Sequence, residues 1–303
     1  VKPQSIISST QFLNHDVLLP LLAAAAQLEK ADVAGDVPHY LDGKIVATLF
    51  YEPSTRTRLS FETAALKLGA QVISCESAGQ FSSAAKGETL ADTARMISAY
   101  ADVFVIRHPE KGSAKECADY ATIPVINAGD GAGEHPTQAL LDVYTIQKEL
   151  GRLDNLTITL VGDLKNGRTV HSLIPLLASF PNVQINVVSP PSLSAPEEIL
   201  KGVHSQLFST LEDVLPITDV FYITRVQKER FANEADYNAV KDAFIIDSKM
   251  VSKMKKTARI MHPLPRVNEI HPDVDADPRA AYFRQAKNGV YVRMALLKML
   301  LNA

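Results

Sequence analysis

At 303 residues the chain is longer than most single cores, which favours two domains over one. Hydrophobic residues make up 46% and charged residues 21%, the balance of an ordinary soluble globular protein. A formal net charge of -3 gives no general reason to bind nucleic acid, so any anion site has to be assembled locally.

In chain order the first regular segment is "VLLPLLAAAAQL" (17–28). It follows Asp16 rather than a cationic stretch and contains Pro20, so it reads as an amphipathic helix on a core and not as a signal peptide. No window reaches the length of a membrane-crossing helix, and a cytoplasmic location is expected. "KIVATLFY" (44–51) reads as a buried strand, with a helix over about 54–68 behind it. "AQVISCE" (70–76) is the next strand, the Gly/Ser/Ala-rich stretch 77–87 reads as a loop, and 80–88 is expected to be mobile, of the kind that forms lids. A helix (88–100), a strand (101–108), a helix (112–121) and a strand (123–129) follow. A longer helix (135–151) is closed by Gly151 in the manner of a C-cap. The rhythm then restarts with a strand (156–163), a helix (167–180) and a strand (183–190). Shorter segments at 197–203, 205–209, 210–216, 219–224, 243–248 and 258–263 continue it. "NGVYVRMALLKMLLNA" (288–303) is an amphipathic helix after Gly289, expected to pack back on the first domain. Val- and Ile-rich runs alternating with helices imply an α/β fold of two domains, each with a mostly parallel sheet covered by helices. The expected division is 1–134 with helix 288–303, and 135–287. The two cysteines, Cys75 and Cys117, show neither C-x-x-C nor metal-ligand spacing and are expected to be reduced thiols.

The turn after the first strand concentrates hydrogen-bond donors: Ser54, Thr55, Arg56, Thr57, Arg58 and Ser60. In open parallel sheets ligands bind outside the carboxyl ends of strands, where helix N-termini present N–H groups. Ser54 or Thr55 can cap the helix while donating to a ligand, and Arg56 supplies a planar fork suited to phosphate. Taken alone, S-T-R-T fits a plain cap with solvated arginines equally well. Arg107 in "VIRHP" and His135 in "GEHPTQ" fall where strands end, at crevice-edge positions. Gln138 follows His135 by one helical turn on the same face. Arg168 stands at a helix start, and Arg225 directly follows the strand "DVFYIT", although "RVQKER" by itself fits a solvated face. "HPLPR" (262–266) is stiffened by two prolines, which suits it either to presenting carbonyls or to being a rigid turn with no ligand. Neither G-x-x-x-x-G-K-[ST] nor G-x-G-x-x-G occurs, nor a Ser-His-Asp set or metal cluster, so no cofactor and no metal are expected.

Taken together, "FYEPSTRTRLSFE", "RHP", "HPTQALLD", "GRTVHSL", "TRVQKER" and "HPLPR" resemble, in order and spacing, the aspartate transcarbamylase catalytic-chain family over essentially the whole chain. The resemblance implies two α/β domains with the active site in the cleft between them, assembled as a homotrimer. It implies transfer of the carbamoyl group of carbamoyl phosphate to the α-amino group of L-aspartate, an early step in pyrimidine synthesis. By resemblance, Ser54, Thr55, Arg56 and Thr57 hold the phosphate, and Thr57, Arg107 and His135 hydrogen-bond the carbamoyl oxygen. Gln138 accepts from the carbamoyl amino group. Arg168 is similar to the ligand of the α-carboxylate and Arg225 and Gln227 to those of the side-chain carboxylate, and Thr169 is a further aspartate-binding residue. The carbonyls of Leu264 and Pro265 take hydrogen bonds from the substrate amines. Ser82 and Lys86 resemble residues that a neighbouring subunit inserts among these groups, Lys86 facing both substrates. Some relatives carry a second lysine where this chain has Ala85. A separate zinc-containing regulatory chain is a partner compatible with the resemblance; nucleic acid and membrane partners are not expected. Two other readings stand beside this one. An ornithine-type transcarbamylase lacks support because its Ser-Met-Gly and His-Cys-Leu-Pro signatures are absent and an arginine facing a cationic substrate is repulsive. A catalytically silent relative acting as a binding subunit is the second.

Overall fold

The computed structural model of the chain describes residues 4–231 and 233–302. Backbone proximity divides it into one unit of Val1–Tyr144 with Lys287–Ala303 and another of Thr145–Ala286. The division falls inside a helix, later than the 134/135 boundary suggested by the sequence pattern.

The first unit contains α1 (His15–Ala34), β1 (Ile45–Phe50), α2 (Thr55–Lys67), β2 (Gln71–Glu76), α3 (Ala78–Phe81), α4 (Leu90–Ser98), β3 (Val103–His108), α5 (Ser113–Tyr120), β4 (Val125–Asp130) and the start of α6 (Pro136–Leu150). The four strands are parallel in the order β2-β1-β3-β4. Ala47, Leu49, Phe104 and Ile106 of the sheet pack against Ala94, Ala114 and Cys117 of α4 and α5. Burial there pushes the Cys117 thiol up to about 12, and neither cysteine is bridged. Asn14 caps α1 by accepting from the Asp16 N–H, and the helix ends on Gly35 at φ 73. Pro20 lies inside it without ending it.

The second unit takes over within α6, which stops at Gly151, whose N–H donates to the Gln147 carbonyl at 2.8 Å. It continues through β5 (Thr157–Val161), α7 (Arg168–Ala178), β6 (Gln184–Val188), α8 (Glu197–Leu200), β7 (Ser205–Phe208), β8 (Val220–Ile223), α9 (Glu234–Val240), α10 (Ser248–Ser252), β9 (Arg259–Met261) and the start of α11 (Tyr282–Leu300). These strands are also parallel, in the order β7-β6-β5-β8-β9. Val161, Val188, Phe221, Ile223 and Ile260 form its core with Leu215, Val251 and Tyr282.

Both sheets reverse direction of build-up once. The connection from β1 runs to β2 on one side, and that from β3 to β4 on the other, so the loops after β1 and β3 diverge. The loops after β5 and β8 diverge in the same way. Such points are where open α/β sheets bind ligands. At the opposite strand ends each unit uses an aspartate as a clamp. Asp102 accepts from the Ile45 N–H at 2.8 Å and Lys44 Nζ at 3.0 Å, and Asp219 accepts from the Thr157 N–H at 2.9 Å and Lys255 Nζ at 2.8 Å.

Several local expectations change. Residues 77–87 fold as α3 and a 3-10 turn, Ser83–Lys86, because Ser77 adopts a left-handed conformation (φ 54) and Ser82 caps the turn. Residues 210–216 form turns rather than a regular element, and 243–248 contribute the isolated bridge Ile246↔Ile270 and the first residue of α10. The last helix starts before Gly289, at Tyr282. Gly289 lies inside it where α6 comes close: a Cβ there would meet Leu141 Cδ2 at 3.1 Å and Arg293 Nη1 at 2.4 Å.

Candidate active site

In the first unit the site is built on the loop between β1 and α2. Ser54 occupies the N-cap position of α2 but makes no side-chain capping bond. Its Oγ instead accepts from Arg107 Nη1 at 2.9 Å. The first-turn N–H groups of α2 therefore lack the usual hydroxyl cap, which leaves the helix end suited to an anion. The register Phe50↔Arg107 and the Tyr51 N–H to Arg107 carbonyl bond of 2.8 Å fix Arg107 beside this turn. Its Nε also faces Glu52 Oε2 at 3.4 Å.

The two arginines of the turn have different fates. Arg58 is bound into the scaffold, reaching Glu62 at 3.2 Å and Glu76 at 2.8 Å, while Glu62 also meets Thr48 and Ser74 from β1 and β2. Arg56 is exposed, as is Thr55, and Thr57 is buried. Of the two, Arg56 is the exposed one.

The β4–α6 connection stands next to the end of β3. Gly131 at φ 52 donates to the His108 carbonyl at 2.8 Å, and a Cβ on it would collide with the Pro109 carbonyl oxygen at 2.1 Å. Asp130 gathers the turn by accepting from the Glu134 and Gly112 N–H groups at 2.7 and 2.8 Å. His135 follows, buried, its carbonyl accepting from the Gln138 and Ala139 N–H groups. Pro136 takes the first helical position, where its missing N–H costs nothing. Gln138 Nε2 donates to Asp142 Oδ1 at 2.8 Å.

Ser82 and Lys86 occupy the α3 and 3-10 segment. Ser82 Oγ donates to the Ala78 carbonyl at 2.5 Å and accepts from the Ala84 N–H, and Lys86 is exposed at the end of the turn. Among the described residues neither is hydrogen-bonded to the Ser54–Arg107 group. Ser82 and Glu88 line a cavity of about 340 Å³ with Leu49, Cys75, Thr93 and Tyr100.

In the second unit the loops after β5 and β8 meet over Asp163. Gly162, at φ 109, sits so close to β8 that a Cβ would lie 2.2 Å from the Thr224 carbonyl oxygen. Thr224 Oγ1 donates to the Val161 carbonyl at 2.9 Å, which holds the residue before Arg225 against β5. Asp163 Oδ1 accepts from the Asn166 N–H at 3.0 Å, and Oδ2 lies 3.5 Å from the Gln227 N–H. Gln227 Nε2 donates to the Asn166 carbonyl at 3.1 Å, the same carbonyl that accepts from the Arg168 N–H at 3.0 Å. Arg168, Thr169, Arg225 and Gln227 are all half-buried. Two guanidinium groups and an amide therefore emerge from one turn-and-loop assembly, a donor set suited to carboxylates.

Leu264 and Pro265 follow β9. Leu264 has φ 52, and its N–H donates to His262 Nδ1 at 2.7 Å. With Nδ1 accepting, the proton lies on Nε2, which faces Glu269 Oε1 at 2.7 Å. Glu269 also accepts from the Val267 and Asn268 N–H groups at 3.1 Å. Burial opposes its charge, but the hydrogen bonds from His262 and these backbone groups outweigh it and hold the carboxyl below its usual range. Arg266 is turned away to Asp275, Nη2 to Oδ2 at 2.6 Å.

The supporting groups Glu52, Asp142, Asp163, Asn166 and Glu269 escape sequence reasoning. Asp142 leaves a trace, an acid four residues after Gln138 on a buried helix face. Among the described residues no group of three or more His, Cys, Asp or Glu side chains could hold a metal ion, and no helix is long and apolar enough to cross a membrane.

Comparison with known proteins bears on these two assemblies. The family model described as the carbamoyl-P binding domain of aspartate/ornithine carbamoyltransferase matches residues 5–148, and that of the Asp/Orn binding domain matches 154–300. An aspartate carbamoyltransferase of Arabidopsis thaliana, named chloroplastic, is 53% identical over 98% of this chain and 77% of its own length. An aspartate carbamoyltransferase catalytic subunit of Thermoplasma volcanium is 50% identical over 99% of both chains. The aspartate transcarbamoylase of Trypanosoma cruzi in complex with carbamoyl phosphate and aspartate is similar at a TM-score of 0.91 and 42% identity, over 98% of this chain and 96% of that one.

Proposed function

The chain belongs to the aspartate/ornithine carbamoyltransferase family, and from that premise we propose that it transfers the carbamoyl group of carbamoyl phosphate to the α-amino group of L-aspartate, giving N-carbamoyl-L-aspartate and phosphate. The observation that carries the choice of aspartate is the grouping of Arg168, Arg225 and Gln227 around Asn166 and Asp163. Two guanidinium forks suit a dicarboxylate and repel the cationic side chain of ornithine.

In this reading Ser54, Thr55, Arg56 and Thr57 hold the phosphoryl group at the N-terminus of α2. Thr57, Arg107 and His135 donate to the carbonyl oxygen, and their value rises as that oxygen gains charge in the tetrahedral intermediate. Gln138 accepts from the carbamoyl amino group. Arg168 and Thr169 bind the α-carboxylate of aspartate, Arg225 and Gln227 its side-chain carboxylate, and the Leu264 and Pro265 carbonyls its amine. The amine nitrogen attacks the carbonyl carbon, the carbon–oxygen bond to phosphate breaks, and the departing phosphate takes the amine proton. Orientation supplies much of the rate.

The reading extends to a homotrimer in which Ser82 and Lys86 serve a neighbouring subunit's site. It is supported by Lys86 being exposed and by Ser82 bonding, among the described residues, within its own loop. A partner regulatory chain, zinc-containing, is part of the proposal, as is a cytoplasmic location and a place in pyrimidine synthesis. The Thermoplasma relative is named a catalytic subunit, which supports the first of these. Native mass with and without a co-purified second chain tests the assembly, and cell fractionation tests the location. Offering the purified protein carbamoyl phosphate with L-aspartate or L-ornithine tests the chemistry. Product from aspartate alone is expected, product from ornithine would overturn the choice, and tight binding of both substrates without turnover would favour a silent binding subunit.

A further inference from the structure

The loop that follows β9 is braced from within by one buried imidazole. His262 is 1% exposed and Glu269 5%. The His262 N–H donates to Gln285 Oε1 of α11 at 2.8 Å, which ties the start of the loop to a helix segment of the same unit. Two residues on, the Leu264 N–H meets His262 Nδ1 at 2.7 Å. A backbone N–H can only donate, so Nδ1 must be the bare, accepting nitrogen and Nε2 the protonated one. Nε2 lies 2.7 Å from Glu269 Oε1, and the same carboxyl group accepts from the Val267 and Asn268 N–H groups at 3.1 Å. The imidazole therefore bridges both limbs of the loop in a single tautomer.

The brace holds an uncommon backbone. Leu264 sits at φ 52, a left-handed conformation that a bulky side chain rarely adopts and that lasts only where the surroundings impose it. Its side chain packs on the core of the unit, and its N–H is the one anchored on Nδ1. Among the described residues no hydrogen bond reaches the carbonyl of Leu264 or Pro265. An attacking neutral primary amine has two N–H bonds and one lone pair. Two fixed acceptors for the N–H bonds leave the lone pair one direction. We propose that His262, held in its tautomer by Glu269, is a positioning residue: by anchoring the Leu264 N–H it fixes the two carbonyls that orient the attacking amine, and so aims the nucleophile without contributing to the grip on its carboxylates. The proposal rests on the carbamoyl-transfer reading of the same site.

The test separates the two bonds of the imidazole. In H262N the amide oxygen takes the place of Nδ1 and can still accept from the Leu264 N–H, while the link to Glu269 is lost. In H262Q the amide reaches towards Glu269 but leaves Leu264 without its acceptor. The kcat/KM for L-aspartate is expected to stay within about threefold of wild type in H262N and to fall about 10- to 100-fold in H262Q. The inhibition constant of succinate, which is aspartate without its amine, is expected to stay within about threefold in both. Urea midpoints are expected to be no higher in H262N than in H262Q, so stability does not account for the difference in activity. Activity in H262Q that matches or exceeds that in H262N would reduce His262 to a packing role and overturn the proposal. A loss of succinate binding as large as the loss on aspartate would do the same. If either variant fails to fold, nitrogen NMR of the histidine-labelled wild-type protein decides: the proton of His262 is expected on Nε2, and a proton on Nδ1 would overturn the proposal. Failure of the wild-type protein to form carbamoyl aspartate would refute the parent reading instead, before any variant is made.

Discussion

Gly162→Ala probes the joint that carries the aspartate-binding residues proposed in the second unit. Gly162 ends β5 at φ 109, where a side chain is strained, at a cost of about 1–2 kcal/mol. The added Cβ would lie 2.2 Å from the Thr224 carbonyl oxygen and 2.9 Å from Thr224 Oγ1. Neither can withdraw easily, because Thr224 is held to Val161 by its N–H at 2.8 Å and its hydroxyl at 2.9 Å. Overpacking of this kind costs a further ~1–3 kcal/mol. Together the two terms make about 2–5 kcal/mol, which at a urea slope of about 1–3 kcal/mol per molar lowers an unfolding midpoint by roughly 0.7–5 M. Whatever relief the fold finds pushes Thr224, and with it Arg225 and Gln227, away from β5. The expected kinetic signature is a rise of about tenfold or more in KM for aspartate, with KM for carbamoyl phosphate unchanged. Urea titration and steady-state kinetics on the same preparation read both. A variant with wild-type midpoint and wild-type aspartate KM would refute the reasoning, because it would show that β5 and β8 can part at this point without disturbing Arg225.

Arg56→Ala is expected to weaken use of carbamoyl phosphate by about 10- to 100-fold while Arg58→Ala acts mainly on stability, since Arg58 is tied to Glu62 and Glu76; initial-rate kinetics and thermal melting separate them. Arg225→Ala should raise KM for aspartate by a similar factor, and unchanged aspartate kinetics would contradict the role given to it. Glu269→Gln should cost about 1.5–3 kcal/mol at pH 7. Because the folded carboxyl titrates below its unfolded value near 4.3, that deficit is complete above about pH 5 and disappears as the pH falls through the folded pKa. Urea midpoints of the two proteins that stayed apart at the lowest pH would contradict the assignment. Mixing unfolded Lys86→Ala and Arg56→Ala chains and refolding them should restore part of the activity if Lys86 serves a neighbouring chain, and a mixture as inactive as its parents would refute that.

Both sheets are legible in the sequence because β1, β3, β5 and β8 are largely buried on both faces and read as short runs rich in Val, Ile, Leu and Phe. The start of α11 is not, because "YFRQAKNG" has little apolar period and Gly289 looks like a boundary. At Gly289 a Cβ would meet Arg293 on its own helix and Leu141, which lies far away in sequence. The site shows the same division. Arg107, Arg168 and Arg225 stand where strands end or helices begin, positions that periodicity locates. Arg56 and Arg58 look alike along the chain, and only the folded partners Glu62 and Glu76 tell a scaffold arginine from an exposed one. Likewise the capping role open to Ser54 is displaced by Arg107 of β3, a contact distant in sequence that local rules do not see.

Carbamoyl transfer to aspartate is tested most directly by following carbonyl-labelled carbamoyl phosphate by carbon NMR in the presence of the purified chain and L-aspartate. Appearance of N-carbamoyl-L-aspartate in step with inorganic phosphate, and its loss with Arg56→Ala, is the expected result. Decay of carbamoyl phosphate at the uncatalysed rate with no labelled aspartate product would contradict it.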